Sequence, residues 1–506
     1  MDHVIAYDFG TGGIKASLYT PAGECVASHF ATYETSYPNT GWHEQRPEDW
    51  WVATVDATRS LLAETDVDPA GIGAIGISGH SLALVPLGAE GELLRDQAMI
   101  WSDSRPDTQP ADFFQHISEE EWYRITGNGF PPSLYTAFKI MWLRDNEPDV
   151  YAKIDKVLGS KDYINFRMTG AVATDYSYAS GCGVWDLHNW CYSETLLTAS
   201  GLDRSIFPDA VASSEVVGKL TADAAGELGL AAGVKVVAGG VDNSCMALGA
   251  RAFREGDVYN SMGSSSWIAV TSETPLLDDS SRPYVFAHVV PDKFTSAIGV
   301  FSTGSSLRWI REPLGTNLDA PAEAAGKRVF ELILDMAYAS EIGAKGALFL
   351  PTMAGGSSLD PSQNVRGAFV GLDLGQGQGD LFRAVIEGIS MSQALAVRAL
   401  GSLTALSGEM LAVGGGNRGD AWMQIYADLY DKAMVRTNIG QQAAALGAAA
   451  VALVGVGLWD DYSPIADIHK VQSVIRPNHE TQGEYQTLLA KFKRLNEHLC
   501  QFAEEG

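Results

Sequence analysis

Val4-Ile5-Ala6-Tyr7-Asp8-Phe9-Gly10-Thr11-Gly12-Gly13-Ile14-Lys15-Ala16-Ser17-Leu18-Tyr19 reads as a strand, a tight turn and a second strand. A run of β-forming residues closes on a carboxylate, Asp8, where the backbone turns and becomes exposed. The turn then offers small side chains, the Thr11 hydroxyl and free backbone N–H groups. Such a turn can cradle phosphate oxygens while the carboxylate faces a magnesium ion. Glycine-rich turns also close ordinary hairpins. Two further features set this one apart. Gly256-Asp257-Val258-Tyr259-Asn260-Ser261-Met262-Gly263-Ser264-Ser265-Ser266-Trp267-Ile268-Ala269-Val270 repeats the strand, small-residue turn and strand. Much later, a strand over Met410–Val413 runs into Gly414-Gly415-Gly416.

Outward from the first hairpin, residues 1 to about 30 read as three strands joined at Thr11-Gly12-Gly13 and Pro21-Ala22-Gly23. Helical periodicity covers Pro47–Ala63, and Ile72–Ser78 is a short apolar run bounded by glycines, the signature of a buried strand. Leu82–Leu87 and Ala98–Trp101 are candidate short strands. Tyr135–Asn146 reads as an amphipathic helix that stops before Pro148. Val234–Ala238 is another buried strand, ending at Gly239-Gly240. In the second half Phe382–Ala399 and Ala421–Tyr430 read as helices. Two halves that each open with the same unit predict an α/β fold with internal duplication. The expected boundary lies near residues 246–256, giving lobes of 1–250 and 251–506 with a ligand cleft between them.

Composition narrows the partners. A chain of 506 residues is too long for one core, and 46% hydrophobic content suits a globular protein. The net charge of -27 repels nucleic acid and anionic membrane, so neither is expected as a partner. Five scattered cysteines form no CxxC pair, which predicts no disulfide framework or zinc site and fits a reducing cytoplasm. Asp2 and Asp8 interrupt the first apolar stretch, so no signal peptide is read there. The longest apolar run, Ala443–Trp459, is short for a membrane span and rich in Ala and Gly; it reads as a buried helix packed closely on a sheet.

Several motifs carry chemistry. No GxxxxGK[ST] sequence occurs, which closes the P-loop route. Gly414, Gly416 and Gly419 match G-x-G-x-x-G, but the following strand, Ala433–Thr437, ends without the acid that a dinucleotide site needs. Gly239-Gly240-Val241-Asp242-Asn243 places Asp242 at an exposed strand end, where it could take a proton from a hydroxyl. The same Asp equally suits capping of a helix that starts at Ser244. Asp103, in Ile100-Trp101-Ser102-Asp103-Ser104-Arg105-Pro106, reads either as a hydroxyl-binding carboxylate or as a loop ion pair.

Taken in order, these residues resemble the FGGY family of carbohydrate kinases over nearly the whole chain. Asp8-Phe9-Gly10-Thr11 is similar to the family's first phosphate motif, and Gly41-Trp42-His43-Glu44-Gln45-Arg46-Pro47-Glu48-Asp49-Trp50 to the segment after it. Lys139–Asn146 resembles one family signature. Gly367–Leu372 followed by Asp380–Glu387 resembles the other, and Gly414-Gly415-Gly416-Asn417 falls at the adenosine motif.

The resemblance implies a two-lobed, duplicated ribonuclease-H-like fold of the actin, sugar-kinase and Hsp70 type, with ATP in the interlobe cleft. It implies transfer of the γ-phosphoryl group of MgATP to a sugar hydroxyl, with Asp242 as catalytic base and Asp8 holding Mg2+. Gly10, Thr11, Gly12, Lys15, Gly263 and Ser264 are the expected phosphate contacts, and Gly415, Gly416 and Asn417 the expected adenosine contacts. His80, Ser81, Asp103, Asp242 and Asn243 are the expected sugar contacts. Within the family, chain length and Ile100–Arg105 are most similar to the members that act on D-xylulose, which implies D-xylulose 5-phosphate as product, with another pentulose, a polyol or gluconate as alternatives. Those members carry a Met-His pair where this chain has Gly79-His80-Ser81-Leu82-Ala83. Many members have a Glu-Arg pair where it has Ala354-Gly355-Gly356-Ser357-Ser358. A homodimer is a common assembly in the family. The same fold also serves non-catalytic binding regulators and Hsp70-like ATPases.

Overall fold

A computed structural model describes residues 2–505; the side chains of Asn417 and Arg418 lie outside the described part. The first half opens with β1 (His3–Gly10), β2 (Gly13–Tyr19) and β3 (Cys25–Thr32), followed by α1 (Pro47–Ala63) and β4 (Ile72–Gly79). After α2 (Thr136–Asn146), α3 (Ser160–Thr169) and α4 (Tyr176–Ala179), it continues through β5 (Val216–Lys219), β6 (Lys235–Val237) and β7 (Gly240–Val241) into α5 (Asp242–Gly249). The second half contains β8 (Val258–Met262), β9 (Ser266–Ser272), β10 (Tyr284–Ala287), β11 (Phe294–Val300), α6 (Thr303–Leu314) and α7 (Gln378–Leu403). It closes with β12 (Glu409–Val413), α8 (Asp420–Tyr430), β13 (Ala433–Thr437), α9 (Ala443–Gly455), β14 (Val471–Ile475) and α10 (His479–Glu504).

The duplication is visible in the pairing. The first sheet runs β3-β2-β1-β4-β6-β5, with β7 also paired to β4. Along that order the neighbours are antiparallel, antiparallel, parallel, parallel, antiparallel. In the second sheet, β11-β9-β8-β12-β13-β14 repeats the same sequence of orientations, and β10 is added at the β11 edge. Each sheet therefore has a hairpin-built edge and a parallel centre. Parallel strands buried on both faces read as continuous apolar runs, as Ile72–Ser78 does.

The apolar run after residue 443 becomes α9, buried along its length as expected. It packs across α5 and onto β4 and β1, so a helix of the second half covers the sheet of the first. Glycines permit that approach: a Cβ on Gly447 would stand 1.9 Å from the Cys245 carbonyl oxygen, and one on Gly76 would stand 2.3 Å from that of Ala448. Among the described residues, no helix is long and apolar enough to cross a membrane.

Three local expectations need correction. Residues 136–143 of α2 are all buried, so this helix has no polar face; it is packed all round rather than amphipathic. The candidate strands at 82–87 and 98–101 shrink to Val85–Leu87 and Ala98–Met99. Leu82 lies outside the strand in a left-handed conformation (φ 63°), and Trp101 emerges into solvent.

Candidate functional site

The first hairpin turns at Thr11-Gly12, where Gly10 and Gly13 face each other in the last pair and Asp8 faces Lys15. Lys15 Nζ lies 3.4 Å from Asp8 Oδ2 and donates to the Gln441 carbonyl at 3.0 Å, which ties this turn to the loop before α9. The loop is held from outside: Gln45 Nε2 donates to the Thr11 carbonyl at 2.7 Å, and Trp101 Nε1 to Thr11 Oγ1 at 2.8 Å. A Cβ on Gly12 would meet nothing within 4 Å, so packing does not demand glycine there. What glycine leaves is open space over backbone N–H groups.

The second hairpin turns at Gly263-Ser264-Ser265. The start of α6 docks on it through the Gly304 and Ser305 N–H groups, which donate to the Gly263 and Ser264 carbonyls at 3.2 and 3.1 Å. A Cβ on Gly304 would stand 2.5 Å from the Gly263 oxygen. Gly263, Ser264, Thr303, Gly304, Gly415 and Gly416 line a cavity of about 530 Å³ that also takes in Arg308, Phe330 and Trp422. Two of the expected adenosine contacts thus share a wall with the second hairpin. Asn417, expected beside them, lies outside the described side chains. The cavity's cations and rings come from α6, α8 and the segment near residue 330, and no motif in the sequence marked them. Arg308 Nη2 is 3.4 Å from Ser264 Oγ.

Asp242 is the first residue of α5. The helix begins there rather than at Ser244, and the carboxylate is half-buried rather than at an exposed strand end. Oδ1 accepts the Asn243 N–H at 2.8 Å. Burial, with a smaller contribution from the Asp8 charge, pushes its pKa up to about 7. The register explains why Asp8 is felt: Asp8 and Gly240 both pair with Ser78, one on each side of β4. Asp8 and Gly240 thus lie on strands separated by one other, about 10 Å apart across the sheet, and Asp242 follows Gly240 by two residues at the start of α5. Asn243 follows in the first turn of α5, and its carbonyl accepts from Tyr259 Oη at 3.3 Å.

Of the expected sugar contacts, His80 and Asp103 are both buried. The His80 ring turns into the first core between Phe9 and Trp50, with centroids at 6.0 and 5.7 Å, and the residue is 2% exposed. Burial lowers its pKa to about 4, and neither ring nitrogen has a partner among the described residues. Asp103 is fully buried. Its oxygens accept from Arg105 Nε and Nη2 at 2.9 and 2.6 Å and from the His43 N–H at 2.7 Å, which is the loop ion pair rather than a free hydroxyl acceptor. Ser81, next to His80, is largely buried as well. Behind these turns Lys139 donates to the carbonyls of Leu82 at 2.9 Å and Ile100 at 2.7 Å, so a single buried lysine, its pKa lowered to about 7 by burial, fastens both segments. The Ala354–Ser358 segment lies elsewhere: the Ala354 N–H donates to Ser302 Oγ beside the start of α6.

Comparisons with known proteins agree with this architecture. The chain is 29% identical to the xylulose kinase of Bacillus subtilis over 503 residues, covering 98% of this chain and 97% of the relative. A ligand-bound xylulose kinase from Lactobacillus acidophilus superposes with a TM-score of 0.90 at 26% identity, covering 99% of this chain and 98% of the other. A gluconate kinase from the same organism gives the same values. The family models for the N-terminal and C-terminal domains of the FGGY carbohydrate kinases match residues 3–249 and 258–456. With both models covering most of its length, the chain belongs to the FGGY family of carbohydrate kinases.

Proposed function

We propose that this kinase phosphorylates D-xylulose at the expense of MgATP, giving D-xylulose 5-phosphate, with Asp242 as the base. The observation that carries the reading is Asp242 itself: a half-buried carboxylate with a pKa raised to about 7, at a helix start two strands from Asp8. A general base works best when its pKa lies near the working pH.

MgATP supplies the electrophilic phosphoryl group, and the ion offsets charge that builds up on its oxygens. The residues present suit such a ligand. Open backbone at Gly12, the small turn at Gly263-Ser264 and the glycine wall at 415–416 leave room for phosphates and a base, and Arg308 adds a cation. In this reading Asp8 faces the ion, Lys15 and the N–H groups of Gly10, Thr11 and Gly12 face the phosphates, and Asp242 orients the acceptor hydroxyl and takes its proton. Asn243 stands beside the acceptor. Residues 250–257 join the two lobes, and their closure excludes water from the transfer. A cytoplasmic enzyme fits the five free thiols, three of them buried.

Gluconate is the second reading, because the gluconate kinase and xylulose kinase structures from one organism are equally similar to this chain. Coupled ADP release over D-xylulose, L-xylulose, the ribuloses, gluconate, glycerol and erythritol separates them. A kcat/KM highest for D-xylulose supports the proposal. A preference for gluconate replaces the acceptor and keeps the base. Silence over the whole panel overturns the reading.

A further inference from the structure

Between β6 and α5 the chain makes a kink that only a glycine backbone accepts without strain. Gly239 adopts φ 75°, and a Cβ there would stand 2.2 Å from the Ile77 carbonyl oxygen. Beneath this kink lies a buried ionic cluster. Lys161 and Asp175 are 0% exposed and Asp162 is 1% exposed. Lys161 Nζ is 2.5 Å from Asp162 Oδ1, 2.9 Å from Asp175 Oδ1 and 3.2 Å from the Ala238 carbonyl oxygen. Asn165 Nδ2 donates to the same carbonyl at 2.9 Å. Ser177 Oγ gives its one proton to Asp175 Oδ2 at 2.5 Å, which leaves its lone pair to accept the Val241 N–H at 2.9 Å. Val241 directly precedes Asp242.

Burying three charges is costly, and an apolar cluster of the same volume commonly holds a fold equally well. An apolar cluster cannot hold a backbone carbonyl at residue 238 and a backbone N–H at residue 241. We propose that the chain Lys161–Asp175–Ser177 is a positioning device for Asp242: it fixes the strand end from which the carboxylate is presented to the acceptor hydroxyl. This inference rests on the reading of Asp242 as base. Its members touch neither hairpin turn, so its loss should reach the proton-transfer step and leave nucleotide binding alone. A misplacement of about 1 Å at a reacting group can lower a rate by about 100-fold.

Ser213 supplies the control. Its Oγ donates to the same Asp175 oxygen at 2.7 Å, but its side chain does not bond to Val241. Ser177→Ala and Ser213→Ala are compared for Tm, kcat, the two KM values and the pH dependence of kcat. The expected result is a similar fall in Tm for both, with kcat at least about tenfold lower in Ser177→Ala than in Ser213→Ala. KM for ATP stays as in the wild type, and the acidic limb of the pH profile moves down as the loosened Asp242 gains solvent. Equal kcat in the two variants, or an unmoved acidic limb, overturns the proposal. Asp242→Asn is run in parallel. If that variant keeps wild-type turnover, the base assignment fails, whatever the serine variants show.

Discussion

A carboxylate in the first turn of a helix is ordinarily favoured as the anion, because the helix N-terminus carries partial positive charge. Asp242 runs against that tendency because burial and then the Asp8 charge act the other way, and it titrates near 7. If its anion is the base, kcat rises with pH through about 7, and Asp242→Asn lowers kcat by about 100- to 10,000-fold. A pH-independent kcat across that range would remove Asp242 from the proton transfer. Stability has the opposite dependence. The folded pKa lies above the unfolded value of about 3.9, so the folded state holds a proton that the unfolded chain has already released. The contribution of Asp242 is therefore complete below the unfolded pKa and is lost as pH rises through about 7. Asp242→Asn, which cannot ionise, should gain Tm relative to the wild type above that pH while remaining inactive. At this scale the sequence was read unevenly. Gly239-Gly240 marked the kink before Asp242, because only a backbone without Cβ passes Ile77 there. For Asp103 the loop ion pair, one of its two readings, is present with Arg105, while nothing in the sequence showed that His80 packs between Phe9 and Trp50. A residue's place at the end of a buried strand does not say whether it faces a cleft or a core. Packing against Trp50 turns His80 into the core and is a long-range contact, whereas the Asp103 pair with Arg105 is local, between residues two apart.

Elements were legible where their pattern is local. The two hairpins, α1 and α9 follow from period, turn chemistry and apolar length. By contrast, α2 has no polar face to reveal, and the way α5 and α9 cross between the two sheets depends on contacts about 200 residues apart in sequence. Two glycines test this distinction between local and long-range causes. Gly447 is a packing glycine: alanine would bring a methyl to 1.9 Å from the Cys245 carbonyl at the helix crossing. Gly447→Ala is expected to cost about 1–3 kcal/mol in denaturant unfolding, since a dense crossing yields only by shifting a helix. Gly12 is surrounded by open space and its conformation suits other residues. Gly12→Ala should therefore unfold like the wild type but raise KM for ATP, because its methyl occupies the approach to the turn. A stable Gly12→Ala enzyme with unchanged KM for ATP would show that phosphate does not approach this turn closely.

Over the whole molecule, the repeated order of strand orientations gives two lobes of the same construction, and the excess of acids gives a net charge of -27. The fold class follows from the two similar hairpins, but the charge has a consequence for kinetics rather than for shape. MgATP is anionic and must approach an acidic protein, whereas a pentulose is neutral. The local cations proposed to meet the nucleotide, Lys15 and Arg308, act over short distances, and the bulk charge acts over the screening length. That length shrinks from about 30 Å at 0.01 M salt to about 8 Å at 0.15 M, so added salt hides the distant acids more than the neighbouring cations. With free Mg2+ held constant, kcat/KM for ATP should rise several-fold over that interval of ionic strength, while kcat/KM for the sugar stays level. The neutral substrate serves as an internal control, since a general effect of salt on folding or closure would move both values together. A fall in kcat/KM for ATP alone would mean that contacts with Lys15 and Arg308 outweigh the field of the whole chain, placing the dominant electrostatics of the site at the residue scale.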